Sequence, residues 1–327
     1  MKAYKIDIAV LLIFFCREEQ LRKVFEQVKK ARPSKLYLYQ DGARKGRDDV
    51  EGIERCRAIV SDEKIDWDCD VHRLYQEKNY GCDPSEFIAQ KWMFEREEMG
   101  IVLEDDDVPS QSFFPYCKEL LEKYKDDTRI NMICGMNNNG ISEYLKTSYL
   151  FTRIGSIWGW ASWKRVIDTW DGKYTWLDDP QLRLKVKNAM TTADYHAFIK
   201  TAERHRATGR EHYESINAAG LFLYGRYNIV PKYNMICNIG IAAESTHSLN
   251  DIRLLPKQTQ RLLHMKTYEI EFPLVHPENV EIDWRFENSF KISTVYRIGM
   301  RLETAYRSIR YQGLSGFLLR LKKKIAK

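Results

Sequence analysis

Ile6 to Phe14 is an apolar run rich in branched residues, the pattern of a strand buried within a parallel sheet. Glu18 to Ala31 follows with Leu21, Val24, Phe25 and Val28 at helical spacing, and Pro33 marks the exit. Lys35 to Gln40 alternates like a second strand and opens at Asp41-Gly42 into a polar loop. A helix near Asp48 to Ser61 carries Val50, Ile53 and Val60, and a third strand lies near Asp70 to Tyr75. Asn79-Tyr80-Gly81 reads as a turn, Pro84 as the first residue of a helix, and Gly100 to Leu103 as a short buried strand. Strands alternating with helices predict a parallel sheet covered on both faces. Ligands of such sheets bind at the carboxyl ends of the strands. Cys16-Arg17, Asp41-Gly42 and Glu104 to Asp107 all fall there.

The second half is less regular. Phe113 to Tyr124 predicts an amphipathic helix, and Ile130 to Cys134 a strand ending in Asn137-Asn138-Asn139-Gly140. A Trp-rich stretch runs from Trp158 to Trp176, followed by helical segments around Leu182 to Asn188, Ala193 to Thr208 and Glu211 to Leu223. No internal repeat, low-complexity segment or Ser/Gly linker divides the chain. The pattern therefore gives one unit over residues 1–287, with a regular half (1–107) and a less regular half (108–287), and a tail over 288–327. In that tail Lys291, Arg297, Arg301, Arg307, Arg310, Arg320, Lys322, Lys323, Lys324 and Lys327 face one acid, Glu303. Leu314, Phe317, Leu318 and Leu321 supply an apolar side. Such a tail suits an anionic membrane surface; a solvated helix packed on the domain is the alternative.

At 327 residues, 44% hydrophobic and 30% charged, the chain can bury a sizeable core, which excludes a disordered or disulfide-scaffold protein. The net charge of +6 is too mild to argue for nucleic acid. Seven cysteines, an odd number with no Cys-x-x-Cys pair, read as reduced thiols. No signal peptide or membrane span is apparent, so a cytoplasmic protein is expected, with the tail at the inner face of the membrane.

The sharpest chemical signal is Glu104-Asp105-Asp106-Asp107, directly after a buried strand. Adjacent carboxylates repel one another unless a cation relieves them. Hard divalent ions take carboxylate oxygens and keep open positions for phosphate. An acidic surface loop is the plain alternative.

The first strand and helix, the Gln40-Asp41 strand end, Asn79 to Cys82, the acidic block with Phe113-Phe114, and Gly135 to Gly140 recur in a familiar order. Gly159-Trp160, Asn238-Ile239-Gly240 and Thr246-His247 continue it. Over residues 4–250 the chain resembles GT-A-fold glycosyltransferases, the N-acetylglucosaminyltransferase I type and its bacterial relatives above all. The resemblance implies a Rossmann-like, mostly parallel sheet flanked by helices, here with a helical basic C-terminal extension. It implies that the block is a DxD-like motif, with Asp106 ligating Mn²⁺ (or Mg²⁺) and Glu104 and Asp105 facing the donor sugar and ribose. Asp107 is one acid more than the pattern has. Arg17 and Asp41 would hold the nucleotide, although the eukaryotic arginine falls one position later, at Glu18. Asn79 and Gly81 would line the uridine pocket.

A metal neutralises the diphosphate leaving group, and the acceptor hydroxyl needs a carboxylate base. In an inverting enzyme that base stands across the sugar from the diphosphate, outside the acidic block. Glu214 is the expected base, from its place in the family's order, with Glu211, Asp171 and Asp179 as substitutes. Trp160, after Gly159, would stack on the sugar, and His247 would be a further ligand or a loop-bonding residue. The expected activity is transfer of a sugar from a UDP-sugar to a glycan or lipid-linked glycan in surface polysaccharide synthesis. An inactive nucleotide-sugar binder of the same fold, a retaining enzyme and a membrane scaffold using only the tail are the alternatives. A nucleotidyltransferase needs a Gly-rich loop after the first strand, and Phe14-Phe15-Cys16-Arg17-Glu18 has no glycine.

Overall fold

A computed structural model describes residues 1–241, 252–291 and 294–325. The chain runs β1 (Ile6–Phe14), α1 (Glu18–Ala31), β2 (Pro33–Gln40), α2 (Val50–Ile59), β3 (Asp70–Tyr75), α3 (Cys82–Phe94) and β4 (Met99–Glu104). It continues with β5 (Asp107–Pro109), α4 (Phe113–Lys123), β6 (Ile130–Cys134), β7 (Tyr149–Thr152), β8 (Trp160–Trp163) and α5 (Lys164–Ile167). Then come α6 (Pro180–Asn188), α7 (Thr192–Thr208), α8 (Tyr213–Leu223), β9 (Tyr227–Pro231), β10 (Ile236–Asn238), α9 (Lys257–Leu262), α10 (Trp284–Ser289) and α11 (Thr294–Ile325).

Eight strands form one mostly parallel sheet in the order β3-β2-β1-β4-β8-β6-β9-β7. The β1–β2, β1–β4, β2–β3 and β6–β9 pairs are parallel; β8 runs antiparallel to both β4 and β6, and β7 to β9. A second, two-stranded sheet pairs β5 with β10 antiparallel. Strand β1 shows why the apolar run is continuous. Its Val10, Leu12 and Phe14 enter one core, while Ala9, Leu11 and Ile13 enter the core on the opposite face. Helices α1 and α4 cover the first face through Leu21, Val24, Phe25, Phe113 and Leu120. Helices α3, α7 and α8 cover the second through Ala89, Met93, Ile199 and Ile216.

Two expectations change. Helix α3 begins at Cys82 rather than Pro84, with Gly81 at φ +87° before it. The Trp-rich stretch contains β8, a fully buried strand at the centre of the sheet. Its short run WASW carries no alternation of polar and apolar positions because both of its faces are covered. None of the seven cysteines, all among the described residues, forms a disulfide. Among the described residues, no helix is long and apolar enough to cross a membrane.

Candidate functional site

The carboxyl ends of β1, β2 and β4 meet the start of α3 around a pocket of about 320 Å³. Arg17, Asp41, Asn79, Gly81, Glu104 and Asp105 all line it, so the structure brings together six residues singled out in the sequence. Phe15, Arg44, Tyr39, Ser85, Glu86 and Cys82 are also part of the wall.

The acidic block divides between several tasks. Arg17, in the loop after β1, spans Asp105 and Asp106. Its Nε donates to Asp105 Oδ2 at 3.3 Å, its Nη2 pairs with Asp105 Oδ1, and its Nη1 reaches Asp106 Oδ2 at 2.7 Å. Burial opposes the guanidinium's charge, but the two carboxylates outweigh it and raise its pKa. Burial also raises Asp105, with Arg17 pulling the other way. Asp107 points inward: it accepts from Gly159 N at 2.9 Å and from Asn238 Nδ2 at 3.0 Å. It is the extra acid of the block, and it joins β5 to β10 and to the start of β8. Asn238 Nδ2 also donates to Asp106 Oδ1 at 3.0 Å, while its own Oδ1 accepts from Gly240 N. Gly240 is required here, because a Cβ at that position would stand 2.1 Å from Asp106 Oδ2.

Glu104 faces the other way, towards helix α3. Burial raises its pKa well above the usual range, and Glu86, Asp107 and Asp106 add to the shift. Glu86 is itself buried; its Oε1 accepts from the Cys82 thiol at 3.1 Å. Its pKa is pushed up to about 8, first by burial and then by Asp83, Glu214 and Asp106, against the Cys82 hydrogen bond. Beside them Tyr213, the first residue of α8, is fully buried, and its hydroxyl has no hydrogen-bond partner among the described residues. Burial, then Glu104, Glu86, Glu214 and Asp107, hold that hydroxyl neutral. Glu86 and Tyr213 were not singled out in the sequence. The only signal for Glu86 was its place one turn after Cys82, behind the Asn79-Tyr80-Gly81 turn.

Asp41 and Asn79 do not both face the pocket as free polar groups. Asp41 is 5% exposed, and its carboxylate accepts from Gly42 N, Tyr80 N, Gly81 N and Asn79 Nδ2. Asn79 Nδ2 also donates to Gly42 O at 2.7 Å. The pair therefore ties the loop after β2 to the loop before α3 and shapes the wall. Gly42 makes the approach possible, since a Cβ there would stand 2.6 Å from the Lys78 carbonyl carbon.

Trp160 is corrected. It is 1% exposed, lies within β8 and packs against Trp170 with ring centroids 6.4 Å apart, so it belongs to the core and not to a sugar-stacking surface. Gly159, at φ +57°, approaches Ile236 and Asp107, not open space for a ligand. Glu214 is exposed in the first turn of α8, and its charge is felt at both Glu86 and Tyr213. Of its substitutes, Asp171 holds a turn through Lys173 N, Thr175 Oγ1 and Trp176 N, and Asp179 caps α6 through Gln181 N and Leu182 N. Both are committed to local structure. Glu211 is part-buried against Gly172. Thr246 and His247 lie outside the described residues.

A divalent ion suits this donor set in chemistry. Oxygens of Glu104, Asp105 and Asp106 are hard ligands, and Arg17 is the one cation paired with them among the described residues. Those residues contain no ready group of three or more His, Cys, Asp or Glu around a metal position. A site completed by one carboxylate, water and substrate phosphate needs no such cage.

No protein-family model matches the chain. No curated protein matches it significantly in sequence. Among solved structures, an apo UDP-glucose pyrophosphorylase is similar over 72% of this chain and 93% of its own, at 9% identity and a TM-score of 0.37. The inositol-1-phosphate CTP transferase from T. maritima is similar over 70% of this chain and 86% of its own, at 9% identity and a TM-score of 0.35. The glycosyltransferase GlyE of Streptococcus pneumoniae TIGR4 is similar over 69% of this chain, at 10% identity and a TM-score of 0.33, and this chain spans 45% of its length. Likenesses this loose carry no argument about chemistry.

Proposed function

We propose that the chain is a GT-A-type, metal-dependent inverting glycosyltransferase that moves a sugar from a UDP-sugar to a hydroxyl of a glycan acceptor. The observation that carries the proposal is the convergence of Arg17, Glu104 and Asp105 on one pocket at the carboxyl ends of β1, β2 and β4, with Asp106 paired to the same guanidinium. That is where an open α/β sheet receives a nucleotide. Walls fixed by Asp41 and Asn79 suit a flat base and ribose, and Glu104 and Glu86 suit the hydroxyls of the donor sugar. Asp106 would hold Mn²⁺ or Mg²⁺, which when bound neutralises charge on the diphosphate. Arg17, released from the carboxylates, is long enough to pair with the same diphosphate.

Glu214 would take the proton from the acceptor hydroxyl as its oxygen bonds to the anomeric carbon. The bond from that carbon to the diphosphate oxygen breaks, and UDP leaves with the electron pair. Exposure in the first turn of α8, with its charge felt at Glu86 in the pocket wall, suits Glu214 to this role. The acceptor would be a surface or lipid-linked glycan.

Thermal-shift titration with a panel of nucleotide sugars, with and without Mn²⁺, tests the reading. Selective stabilisation by one UDP-sugar, dependent on the metal, is expected. An equal response to every nucleotide, or none, overturns it.

A further inference from the structure

Helix α11 is amphipathic in an inverted sense. The side that meets the rest of the molecule is polar. Glu303 Oε1 accepts from Lys257 N at 3.1 Å and from Arg307 Nε at 2.8 Å, and Arg307 Nη1 donates to the Arg253 carbonyl at 3.2 Å. Ser308, next to Arg307, is 2% exposed. The apolar side faces outward: Leu302 is 66% exposed, Tyr306 59% and Ile309 43%. These residues follow one another by four and three positions and so form one stripe of a helix. Beyond the non-helical Gly313, at φ 72°, Leu314 and Leu318 are 63% and 48% exposed and again share a face.

Burying an apolar stripe is the usual reason for a helix to pack on a domain. Here the polar side is packed and the apolar one is left to water. An exposed apolar row of this kind marks a contact surface.

Charge identifies what covers it. Residues 294–325 hold eight Lys and Arg (Arg297, Arg301, Arg307, Arg310, Arg320, Lys322, Lys323 and Lys324) and one acid, Glu303. That excess is larger than the net +6 of the whole chain, so the remainder of the protein is close to neutral. Arg310, exposed beside the stripe, stands over the Tyr306 and Tyr311 rings at 6.0 and 5.5 Å. An apolar stripe flanked by Arg and Lys, with Tyr at its margin, matches the boundary between acyl chains and anionic headgroups. A second copy of this chain would bring a second excess of positive charge onto the first, which repels. Among the described residues no helix is long and apolar enough to span a bilayer, so a helix such as α11 would meet one only at its surface.

We propose that α11 docks the protein on an anionic lipid surface, with Leu302, Tyr306, Ile309, Leu314 and Leu318 entering the headgroup boundary. This surface is separate from the pocket, and the proposal stands whether or not the chain transfers sugars.

Flotation of the full chain with vesicles tests it. Mixed phosphatidylglycerol–phosphatidylcholine vesicles are expected to bind at least about tenfold more protein than pure phosphatidylcholine at physiological salt. A variant combining Leu302→Ser, Ile309→Ser, Leu314→Ser and Leu318→Ser is expected to lose about tenfold in binding while keeping its thermal midpoint, because all four side chains are already exposed. No binding by the unmodified chain overturns the proposal, and this result needs no variant to fold. Binding that is untouched by the serine variant overturns the inserted stripe. A dimer in light scattering that the serine variant dissociates, without anionic-vesicle binding by the unmodified chain, gives the face to a second copy.

Discussion

The two flanks of the acidic block are treated differently. Asp105 and Asp106 share a guanidinium, Arg17, which meets both of them. Glu104, facing α3, and Glu86, on α3 itself, pair with no Lys, Arg or His among the described residues, and burial raises their pKa values. One flank is paired with a cation, and the carboxyls of the other, buried without one, are shifted towards the protonated form. Repulsion between neighbouring carboxylates has both remedies, and this site uses each on a different side. The neutralised flank is therefore suited to exchange one cation for another. The protonated flank is suited to donate and accept hydrogen bonds.

The sharpest way to separate the flanks is to act outside both. Glu214→Gln is expected to lower UDP release at least about a hundredfold, the usual worth of a general base, with UDP-sugar binding kept in a thermal-shift titration. Normal turnover in that variant would remove Glu214 from the chemistry. Next in size is Asp106→Ala, which is expected to abolish the Mn²⁺-dependent part of the nucleotide shift. If the metal response survives, the cation belongs on the Glu104 side.

The protonated flank predicts a pH dependence. In the metal-free protein Glu86 has a folded-state pKa of about 8 against an ordinary value of 4.5. The folded state then binds more protons than the unfolded chain between those values, so stability falls as pH rises through that window. Glu86→Gln is expected to flatten this slope and to raise stability at pH 8 by up to roughly 4 kcal/mol, read from denaturant titrations at pH 5 and pH 8. An unchanged slope would mean that Glu86 stays ionised without cost. The smallest effect is at a residue now placed outside the site. Asp179→Ala is expected to leave turnover unchanged and to cost about 1 kcal/mol through the lost cap of α6, measured by thermal melt.

What the sequence disclosed depended on the length of the signal. Strand β1 stands where its unbroken apolar run put it and helix α1 where its period put it, because each signal is long. Strands β5, β7 and β8, of three to four residues, are too short to show one. The candidate pocket residues were legible because strand ends announce themselves by a change from apolar to charged. Their division of labour was not. Nothing in the run Glu104 to Asp107 says that Asp107 turns inward to Asn238, 131 positions away. Trp160 was misplaced for a related reason, since an indole next to a glycine suits a sugar platform and a core equally well.

The position of β8 decides how the molecule can be divided. It lies between β4 and β6, although it follows both in the chain. A fragment ending at Asp107 would leave β4 as a bare edge strand, open to pairing with other chains. The same cut would strip Asp107 of Gly159 and Asn238. The half that ends at Asp107 is thus not an autonomous module, and shuffling it onto another chain would mean carrying β8 and β10 along with it.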